Sequence, residues 1–352
     1  MRILIIKTSS LGDIIHALPV LDYLKQAAPL AVIDWVVDEA FRDLVSENPL
    51  IERLQIVAFR RWKKAPFATQ TRHELMAFVK ELRQQRYDLV FDLQGNSKSG
   101  LVCWFARADR KIGFSREDLQ EKLNTLCTTE QVSFKPTDRN AVQRYLRVVS
   151  SPFAVQTDNW QPRSDIATSA ADDAVADAAL NQTGSPLILL HTGTTWQTKL
   201  WYEEGWQQLG QELLERYPAA TLLFSWGNGD EQQRAERLVM VLGARSVVLP
   251  SLSLKQFAAV LKRCNLVIGG DTGPVHLAAA VGTPTVSFYR CTDGERNGPF
   301  GPQHTVIQSP LPCTICMRKQ CDQDEVCRRS ITPAVLFEAA QAMLAQRELA
   351  TP

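Results

Sequence analysis

The stretch that most constrains the fold of this chain is Asn265–Ala280, with the sequence NLVIGGDTGPVHLAAA. It opens with a short apolar run typical of a buried parallel strand, and helical spacing then begins at Pro274 and continues to a Gly-Thr-Pro sequence. Asp271 or Thr272 could cap that helix, and its free N–H groups would form a site for an anion such as phosphate. An ordinary strand–helix junction with polar caps fits the same spacing. The stretch therefore predicts an α/β fold and leaves the phosphate site open.

Apolar runs and helical patterns alternate in both halves of the chain, which predicts two Rossmann-like, doubly wound parallel sheets. The predicted strands cover residues 2–6, 31–37, 54–59, 87–92, 187–191, 220–225, 246–249, 265–269 and 284–289. The predicted helices cover residues 14–27, 39–46, 70–86, 166–181, 203–216, 230–241, 253–263, 273–281 and 332–348. A polar stretch over about 151–165 indicates a linker. We therefore predict an N-terminal domain (1–165), a C-terminal domain (166–330) and a terminal helix (331–352), with the strand-end loops of both domains facing a central cleft.

Composition excludes several classes of protein. The 352 residues suffice for two domains, and a composition of 45% apolar and 22% charged residues is ordinary for a soluble globular protein. A net charge of +1 gives no overall case for binding nucleic acid. The apolar run at residues 1–6 ends at Lys7 without the features of a signal peptide, and no run approaches the ~20 apolar residues of a membrane span. We expect a cytoplasmic protein whose eight cysteines are thiols or metal ligands.

A polar loop, KTSSLGD, follows the first predicted strand and ends at Asp13. It is not a dinucleotide-binding fingerprint, because G-x-G-x-x-G is absent. The loop lies at the carboxyl end of a strand, where open α/β sheets bind their ligands. Asp13 would stay ionised near the start of a helix and could act as a general base. The alternative is that Asp13 only caps the helix.

Two cationic segments also follow predicted strands. Arg60, Arg61, Lys63 and Lys64 surround one tryptophan, and Lys98 lies in the loop QGNSK. A cluster of charges usually indicates a solvated face. At the strand ends of an α/β sheet, the same cluster favours a site for an anionic partner.

The strand-end loops of the second half carry residues that suit a phosphate. Lys199 can serve as a mobile cation, and Thr194 and Thr195 can donate hydrogen bonds. His276 lies inside the predicted helix, where it can orient the loop without touching a ligand. We expect Trp201 in the core rather than beneath a nucleotide base.

Five segments together resemble glycosyltransferase family 9, the bacterial heptosyltransferases of lipopolysaccharide core assembly. They are the N-terminal KTSSLGDIIH, FRRWKKAPF, DLQGNSKS, the WG…E element at Trp226–Glu231, and DTGPVHLAAA. The resemblance covers nearly the whole chain and is strongest to the type I members, which add the first heptose to the Kdo sugar of lipid A. It implies a GT-B fold, an ADP-heptose donor and inversion at the anomeric carbon without a metal. It also implies a peripheral protein at the cytoplasmic face of the inner membrane.

The resemblance further implies roles for individual residues. Asp13 would deprotonate the acceptor hydroxyl, and Lys199 would neutralise charge on the departing ADP. The donor-binding residues would be Thr194, Thr195, Lys199, Glu231, Asp271, Thr272, Gly273 and His276. The acceptor-binding residues would be Arg60, Arg61, Lys63, Lys64, Lys98, Arg116 and Arg144. The alternatives are a heptose or protein acceptor, a nucleotide-sugar epimerase of the same architecture, or a nucleotide-sugar sensor without activity.

Four cysteines are closely spaced in the pattern Cys313-x2-Cys316-x4-Cys321-x5-Cys327. In a cytosolic protein this spacing suits a tetrahedral thiolate site for a structural zinc or iron ion. Four free thiols in a loop are the alternative. Since residues 310–330 include few large apolar side chains, we expect the metal to order this segment. The type I pattern lacks such a cluster, which leaves the exact acceptor open.

Overall fold

The computed structural model describes residues 1–155, 166–181 and 183–350, with side chains as far as residue 347. The chain divides into two compact units, Met1–Ala167 and Thr168–Pro352. The predicted boundary at residue 165 and most of the predicted linker lie outside the described residues. The terminal helix, which we predicted as a separate segment, is part of the C-terminal unit.

The N-terminal unit is built on a parallel sheet whose six described strands are β1 (Arg2–Ile6), β2 (Val32–Asp38), β3 (Arg53–Val57), β4 (Arg86–Asp92), β5 (Arg107–Phe114) and β6 (Glu130–Val132). They are ordered β3-β2-β1-β4-β5-β6. The helices of this unit are α1 (Leu11–Ala17), α2 (Pro19–Ala27), α3 (Arg42–Val45), α4 (Phe59–Lys64), α5 (Thr69–Leu82), α6 (Ser97–Phe105) and α7 (Ala141–Ser150). Short 3₁₀ helices cover Glu39–Phe41 and Lys122–Cys127.

The C-terminal unit repeats this plan with strands β7 (Leu187–His191), β8 (Thr221–Ser225), β9 (Ser246–Val248), β10 (Leu266–Gly270), β11 (Thr285–Tyr289) and β12 (His304–Gln308). They are ordered β12-β11-β10-β7-β8-β9. Its helices are α8 (Ala170–Ala179), α9 (Glu203–Arg216), α10 (Gly229–Leu242), α11 (Leu254–Arg263), α12 (Gly273–Ala280), α13 (Gly294–Asn297), α14 (Asp324–Arg329) and α15 (Pro333–Ala350), with a 3₁₀ helix at Gln197–Lys199. None of the helices in the described part of the chain combines the length and apolar character of a membrane-spanning segment.

Both sheets have the same topology. When the strands are counted within each unit, both orders are 3-2-1-4-5-6, so the winding reverses between the first and fourth strands. These strands are β1 and β4 in one unit and β7 and β10 in the other. Open α/β sheets bind ligands at this switch point, beyond the carboxyl ends of the strands. The loops after these four strands are therefore where a site is expected in each unit.

Apolar periodicity explains how the last helix completes the C-terminal core. Leu336, Ala340, Met343 and Leu344 recur at helical spacing along α15 and are buried in one cluster with residues of the sheet. Trp201 belongs to the same cluster, and its Nε1 donates to the carbonyl of Ile331 at 2.9 Å. This agrees with its predicted place in the core.

The structure differs from the sequence-based assignment at several elements, among them the helices α6, α7, α13 and α14, which were not predicted. The helix predicted over 14–27 is two helices, because Pro19 cannot continue the hydrogen bonding of α1 and instead begins α2. The strands β5, β6 and β12 were not predicted. The first half of β5 is polar, with exposed arginines, so the sequence there lacks the apolar pattern of a buried strand. The basic cluster, for which no secondary structure was predicted, lies in the short helix α4, with Trp62 buried.

Candidate active site

Asp13 lies in the first turn of α1, in the loop that follows β1. Its Oδ2 accepts hydrogen bonds from the backbone N–H of Ser10 at 3.0 Å and from the Ser10 hydroxyl at 2.7 Å. Its Oδ1 faces the hydroxyl of Tyr145 on α7 at the long distance of 3.4 Å. The predicted capping role is therefore present, but it uses one carboxylate oxygen and leaves Oδ1 weakly bonded and able to accept a proton.

A buried lysine keeps Asp13 ionised. The Nζ of Lys7 donates to the hydroxyl oxygen of Tyr145 at 2.9 Å and to the carbonyl of Leu93 at 3.0 Å. Tyr145 can then donate its own hydroxyl proton to Asp13, which links the lysine to the carboxylate. Burial alone would raise the pKa of Asp13, but the charge of Lys7 and the hydrogen bonds from Ser10 outweigh burial and lower the pKa to about 2.

The loop after β4 holds the Asp13 loop in place. The side-chain oxygen of Gln94 accepts hydrogen bonds from the backbone N–H groups of Thr8 at 3.0 Å and Ser9 at 2.9 Å. Asp92, fully buried at the end of β4, in turn accepts the backbone N–H of Gln94 at 3.0 Å. Burial raises the pKa of Asp92 despite its hydrogen bonds. The segment DLQGNSKS therefore positions the loop that carries the candidate base.

The predicted acceptor-binding cations of α4 are not equivalent. Arg61 is held between Glu39 at 3.0 Å and Glu74 at 2.7 Å, so its charge is already matched by carboxylates. The other three cations of α4 are exposed, and no carboxylate in the described residues pairs with them; they are Arg60, Lys63 and Lys64. Their charge is available to an anionic partner.

The remaining predicted acceptor residues lie on other elements of the N-terminal unit. Lys98 is exposed in the first turn of α6, and its Nζ lies 5.6 Å from the centre of the Phe59 ring of α4. Arg116 is exposed just after β5. Arg144 on α7 is half-buried, with its guanidinium 5.0 Å from the centre of the Phe134 ring. Lys98 therefore extends the cationic surface of α4.

Asp271 directly follows β10, beside the switch point of the C-terminal sheet. Its Oδ2 accepts a hydrogen bond from the Nζ of Lys199 at 2.6 Å, and its Oδ1 lies 3.4 Å from the Nε2 of His276. Burial alone would raise the pKa of Asp271, but the hydrogen bond from His276 and the charge of Lys199 bring it well below its usual range. Both oxygens are engaged, so Asp271 positions the lysine and the histidine.

The start of α12 offers backbone donors to an anion. Thr272 occupies the cap position, but its hydroxyl donates to the carbonyl of Gly270 at 3.3 Å, and no side chain among the described residues caps the helix. The predicted cap by Asp271 or Thr272 is therefore absent, because both side chains are engaged elsewhere. Gly273 opens the helix without a side chain that would block the approach of a ligand.

Glu231 shapes the loop that follows β7. Its Oε2 accepts the backbone N–H of Gly227 at 2.7 Å. Its carboxylate also lies so close to Gly193 that a Cβ at this position would be 2.2 Å from the carboxyl carbon, which only glycine avoids. Thr194, half-buried, and Thr195, exposed, follow in the same loop. Glu231 therefore fixes the path of the loop that presents both threonines.

Two residues near Lys199 were missed by the sequence analysis. The Nζ atoms of Lys199 and Lys319 each lie 4.9 Å from the centre of the Trp196 ring. Trp196 follows Thr195 in a strand-end loop, and this position was a local signal that it lies beside the candidate phosphate-binding residues. Lys319 had no such signal, because it comes from the cysteine-containing segment, which is distant in sequence. Both lysines place positive charge beside one aromatic ring.

The family model described as Glycosyltransferase family 9 (heptosyltransferase) matches residues 75–327. The chain belongs to glycosyltransferase family 9. This confirms the family predicted from the sequence. Two relatives carry the name lipopolysaccharide heptosyltransferase 1. The one from Pseudomonas aeruginosa is 35% identical over 91% of this chain and 87% of its own length, and the one from Escherichia coli K12 is 33% identical over 91% and 97%.

Solved structures of heptosyltransferases share the fold of this family 9 chain. Escherichia coli heptosyltransferase WaaC with ADP has a TM-score of 0.80 at 29% identity, covering 97% of this chain and 100% of WaaC. Escherichia coli ADP-heptose lipopolysaccharide heptosyltransferase II has a TM-score of 0.76 at 19% identity, covering 99% and 100%, which is a likeness of fold alone. Together with the two parallel sheets, these likenesses confirm the predicted GT-B fold class.

The structure does not support the predicted zinc or iron site of this family 9 chain. Cys313 and Cys316 are exposed, Cys321 and Cys327 are half-buried, and all four are free thiols. Within residues 1–155, 166–181 and 183–350, no three His, Cys, Asp or Glu side chains are arranged to hold a metal ion. The cysteine spacing, which suggested thiolate ligands, does not bring the four sulfurs into one group.

A buried arginine orders the cysteine-containing segment instead. One Nη of Arg290 donates to the carboxylate of Asp324 at 2.6 Å, and the backbone N–H of Ile315 donates to the carbonyl of Arg290 at 3.3 Å. The hydroxyl of Thr198 donates to the carbonyl of Arg318 at 2.7 Å, which holds the segment against the loop of Lys199. These long-range contacts supply the order that we had expected from a metal.

Proposed function

We propose that the protein transfers a heptose from ADP-heptose to the Kdo sugar of a Kdo–lipid A acceptor, with inversion at the anomeric carbon, in the synthesis of the lipopolysaccharide inner core. The observation that carries this proposal is Asp13, an ionised carboxylate at a switch point whose Oδ1 has a single long contact, 3.4 Å, in the described part of the chain. The relatives named lipopolysaccharide heptosyltransferase 1 support it. So does the likeness, at a TM-score of 0.78 and 29% identity, to WaaC solved with ADP-2-deoxy-2-fluoro heptose.

In this proposal Asp13 acts as the general base. An acceptor hydroxyl attacks the anomeric carbon while the bond from that carbon to the diphosphate oxygen breaks, and the hydroxyl proton passes to the Oδ1 of Asp13. The products are an inverted glycoside and ADP. A carboxylate with a pKa of about 2 is a weak base, so the proton moves late, after the attacking oxygen has become acidic through its bond to an oxocarbenium-like sugar.

The C-terminal unit would hold the donor. Lys199, positioned by Asp271, would meet the charge of the diphosphate, and the backbone donors at Gly273 would bind a phosphate oxygen. Thr194 and Thr195 would donate hydrogen bonds to the same group. The other residues, which shape the surrounding loops, are Glu231, Thr272 and His276. A fixed cation and fixed backbone dipoles would thus stabilise the departing ADP.

The N-terminal unit would bind the acceptor through the cations of α4 and α6. Arg60, Lys63, Lys64 and Lys98 suit the phosphates and carboxylates of Kdo–lipid A. Arg61 would contribute less, because Glu39 and Glu74 already hold it; Arg116 and Arg144 remain predicted contacts. We also propose that the protein works as a peripheral protein at the cytoplasmic face of the inner membrane, where a cytoplasmic donor and a lipid-linked acceptor would meet.

A direct assay tests the proposal. The purified protein is incubated with ADP-heptose and separately with Kdo–lipid A, heptosylated Kdo–lipid A, a serine-containing peptide or no acceptor, and the products are identified by mass spectrometry and NMR. We expect one heptose on Kdo–lipid A, with inverted configuration and release of ADP. Transfer only to the heptosylated lipid or the peptide would show that the acceptor is a heptose or a protein hydroxyl rather than the Kdo sugar. An epimerised sugar nucleotide formed without any acceptor would show that the protein is an epimerase rather than a transferase. Donor binding without turnover on any acceptor would indicate a sensor.

A further inference from the structure

An exposed apolar surface covers part of the N-terminal unit, on the outer faces of α6 and the 3₁₀ helix Lys122–Cys127. Trp104 is 62% exposed, and Leu123 and Leu126 are each 70% exposed. We call this the α6 surface, and its members are Leu101, Trp104, Phe105, Leu123 and Leu126. Single exposed apolar residues are ordinary, but five large ones on two neighbouring elements indicate an interaction site.

The sequence spacing makes this surface continuous along each element. Positions 101, 104 and 105 are three and four residues apart and share one face of α6. Positions 123 and 126 are three residues apart and eclipse each other in a 3₁₀ helix. The apolar residues of each element therefore point in a common direction rather than being spread around the helix.

Close packing between the two elements makes the surface rigid. Asn124 donates to the carbonyl of Asn96 at 2.8 Å and to the buried carboxylate of Asp92 at 2.7 Å. The Sγ of Cys103 on α6 donates to the carbonyl of Cys127 at 3.2 Å. These hydrogen bonds join both ends of the 3₁₀ helix to α6 and β4, so the exposed side chains belong to a formed surface rather than to a loose loop.

Positive charge surrounds the α6 surface. The Nζ of Lys111 donates to the carbonyl of Trp104 at 3.0 Å, which puts a cation at the carboxyl end of α6. The other cations next to or within the two elements are Lys98, Arg107 and Lys122. Glu121, an acidic neighbour, accepts the backbone N–H of Ser97 at 2.8 Å and its hydroxyl at 2.5 Å, and these hydrogen bonds lower its pKa, so it keeps its negative charge. The four cations outnumber this carboxylate, and the rim of the surface is therefore mainly cationic.

We propose that the α6 surface docks the protein onto an anionic lipid bilayer, with Trp104 and the leucines at the acyl boundary and the lysines among the headgroups. Apolar side chains combined with a cationic rim are what interfacial binding requires, and tryptophan favours the interface. A second copy of the chain is a poorer occupant, because a two-fold interface would set the same cations against one another. This inference rests on the proposed function, since docking would hold the neighbouring Gln94 loop at the bilayer, next to a lipid-linked acceptor.

Vesicle flotation tests the docking. Vesicles of phosphatidylethanolamine with phosphatidylglycerol are compared with vesicles of phosphatidylcholine alone. We expect the wild-type protein to float with the anionic vesicles and much less with the neutral ones. The triple variant Trp104→Ser, Leu123→Ser, Leu126→Ser should bind at least about tenfold more weakly, and Lys122→Gln about fivefold more weakly. Leu30→Ser is the matched control, because Leu30 is 91% exposed but lies outside the surface, and it should float like the wild type.

An activity comparison separates docking from catalysis. With a deacylated, water-soluble acceptor, the triple variant should keep the kcat/KM of the wild type, and with the acceptor embedded in vesicles it should lose about tenfold. Flotation of the triple variant equal to that of the wild type would overturn the proposal. Loss of activity on both acceptors, or self-association of the wild type that the triple variant abolishes without any flotation, would overturn it as well. Absence of heptose transfer to every acceptor, with flotation as expected, would instead overturn the proposed function and leave the docking standing.

Discussion

Asp13 and Asp271 both follow a central strand at a switch point, both lie at the start of a helix, and both have a pKa held low by a lysine and hydrogen bonds. Their oxygens are used differently. Asp271 is paired directly with Lys199 at 2.6 Å and faces His276 at 3.4 Å, whereas Lys7 is linked to Asp13 through Tyr145. A direct ion pair fixes a cation where an anionic ligand can meet it. An indirect link keeps the carboxylate charged while leaving one oxygen for a proton.

Removing the charge of each aspartate in turn should give the largest effects, and these effects should fall on turnover for Asp13 and on ADP binding for Asp271. Asp13→Asn should lower kcat by roughly 10²–10⁴-fold with ADP affinity unchanged, because an amide cannot accept the proton. Asp271→Asn should instead weaken ADP binding, since Lys199 loses the partner that positions it. Steady-state kinetics and calorimetry with ADP measure both effects, and thermal unfolding checks that the capping at Ser10 is not the cause. Near-normal turnover of Asp13→Asn would remove Asp13 as the base.

Lys199 and the control residue Lys262 should differ in how much their removal weakens ADP binding. Lys199→Ala should weaken ADP binding by about 1.5–3 kcal/mol, the range for hydrogen bonds to charged groups. The matched control is Lys262→Ala in the same unit, because Lys262 is exposed and donates to the hydroxyl of Thr168 at 2.8 Å. Calorimetry should show the ADP affinity of this control unchanged. Equal affinities for Lys199→Ala and the wild type would take Lys199 out of the donor site.

The indirect link between Lys7 and Asp13 predicts a change in pH dependence. The charge of Lys7 lowers the pKa of Asp13, whereas burial raises it, so removal of the charge in Lys7→Met should raise that pKa. The base must be deprotonated to work, and the acid limb of the kcat/KM profile should therefore move to higher pH, by at least about one unit. Tyr145→Phe, which keeps the cation and removes the hydroxyl, should move it less. An acid limb that stays in place in Lys7→Met would show that Lys7 does not control the base.

The candidate site residues that could be predicted from the sequence are those with local signals. Asp13, Lys199 and Asp271 each lie within a few positions of a buried strand or a glycine turn, and such elements have their own periodicity. Tyr145 is distant in sequence from Lys7 and Asp13, so no spacing could bring these three together. Distance in sequence also explains why the expectation of a metal that orders residues 310–330 was not supported. That expectation rested on the spacing of the cysteines and on the few apolar side chains within the segment, whereas Arg290, which lies outside the segment, orders it.

The smallest expected effect compares the two lysines that share the Trp196 ring. Lys319 is exposed, and no ion pair of Lys319 occurs within the described residues, whereas Lys199 is largely buried and paired with Asp271. An exposed ion pair contributes about 0.2–1 kcal/mol, so if Lys319 meets the diphosphate, Lys319→Ala should weaken ADP binding by at most roughly fivefold. Lys319→Arg should restore most of the affinity.

Salt distinguishes the two lysines further. Exposed charges are screened strongly and buried pairs much less, so the effect of Lys319→Ala should disappear at about 1 M salt while that of Lys199→Ala persists. Calorimetry with ADP at low and high ionic strength measures both, again with Lys262→Ala as the control. If Lys319→Ala binds ADP as tightly as the wild type at low salt, Lys319 takes no part in the donor site. The cysteine-containing segment then contributes to that site only by bracing the Lys199 loop through Thr198 and Arg318.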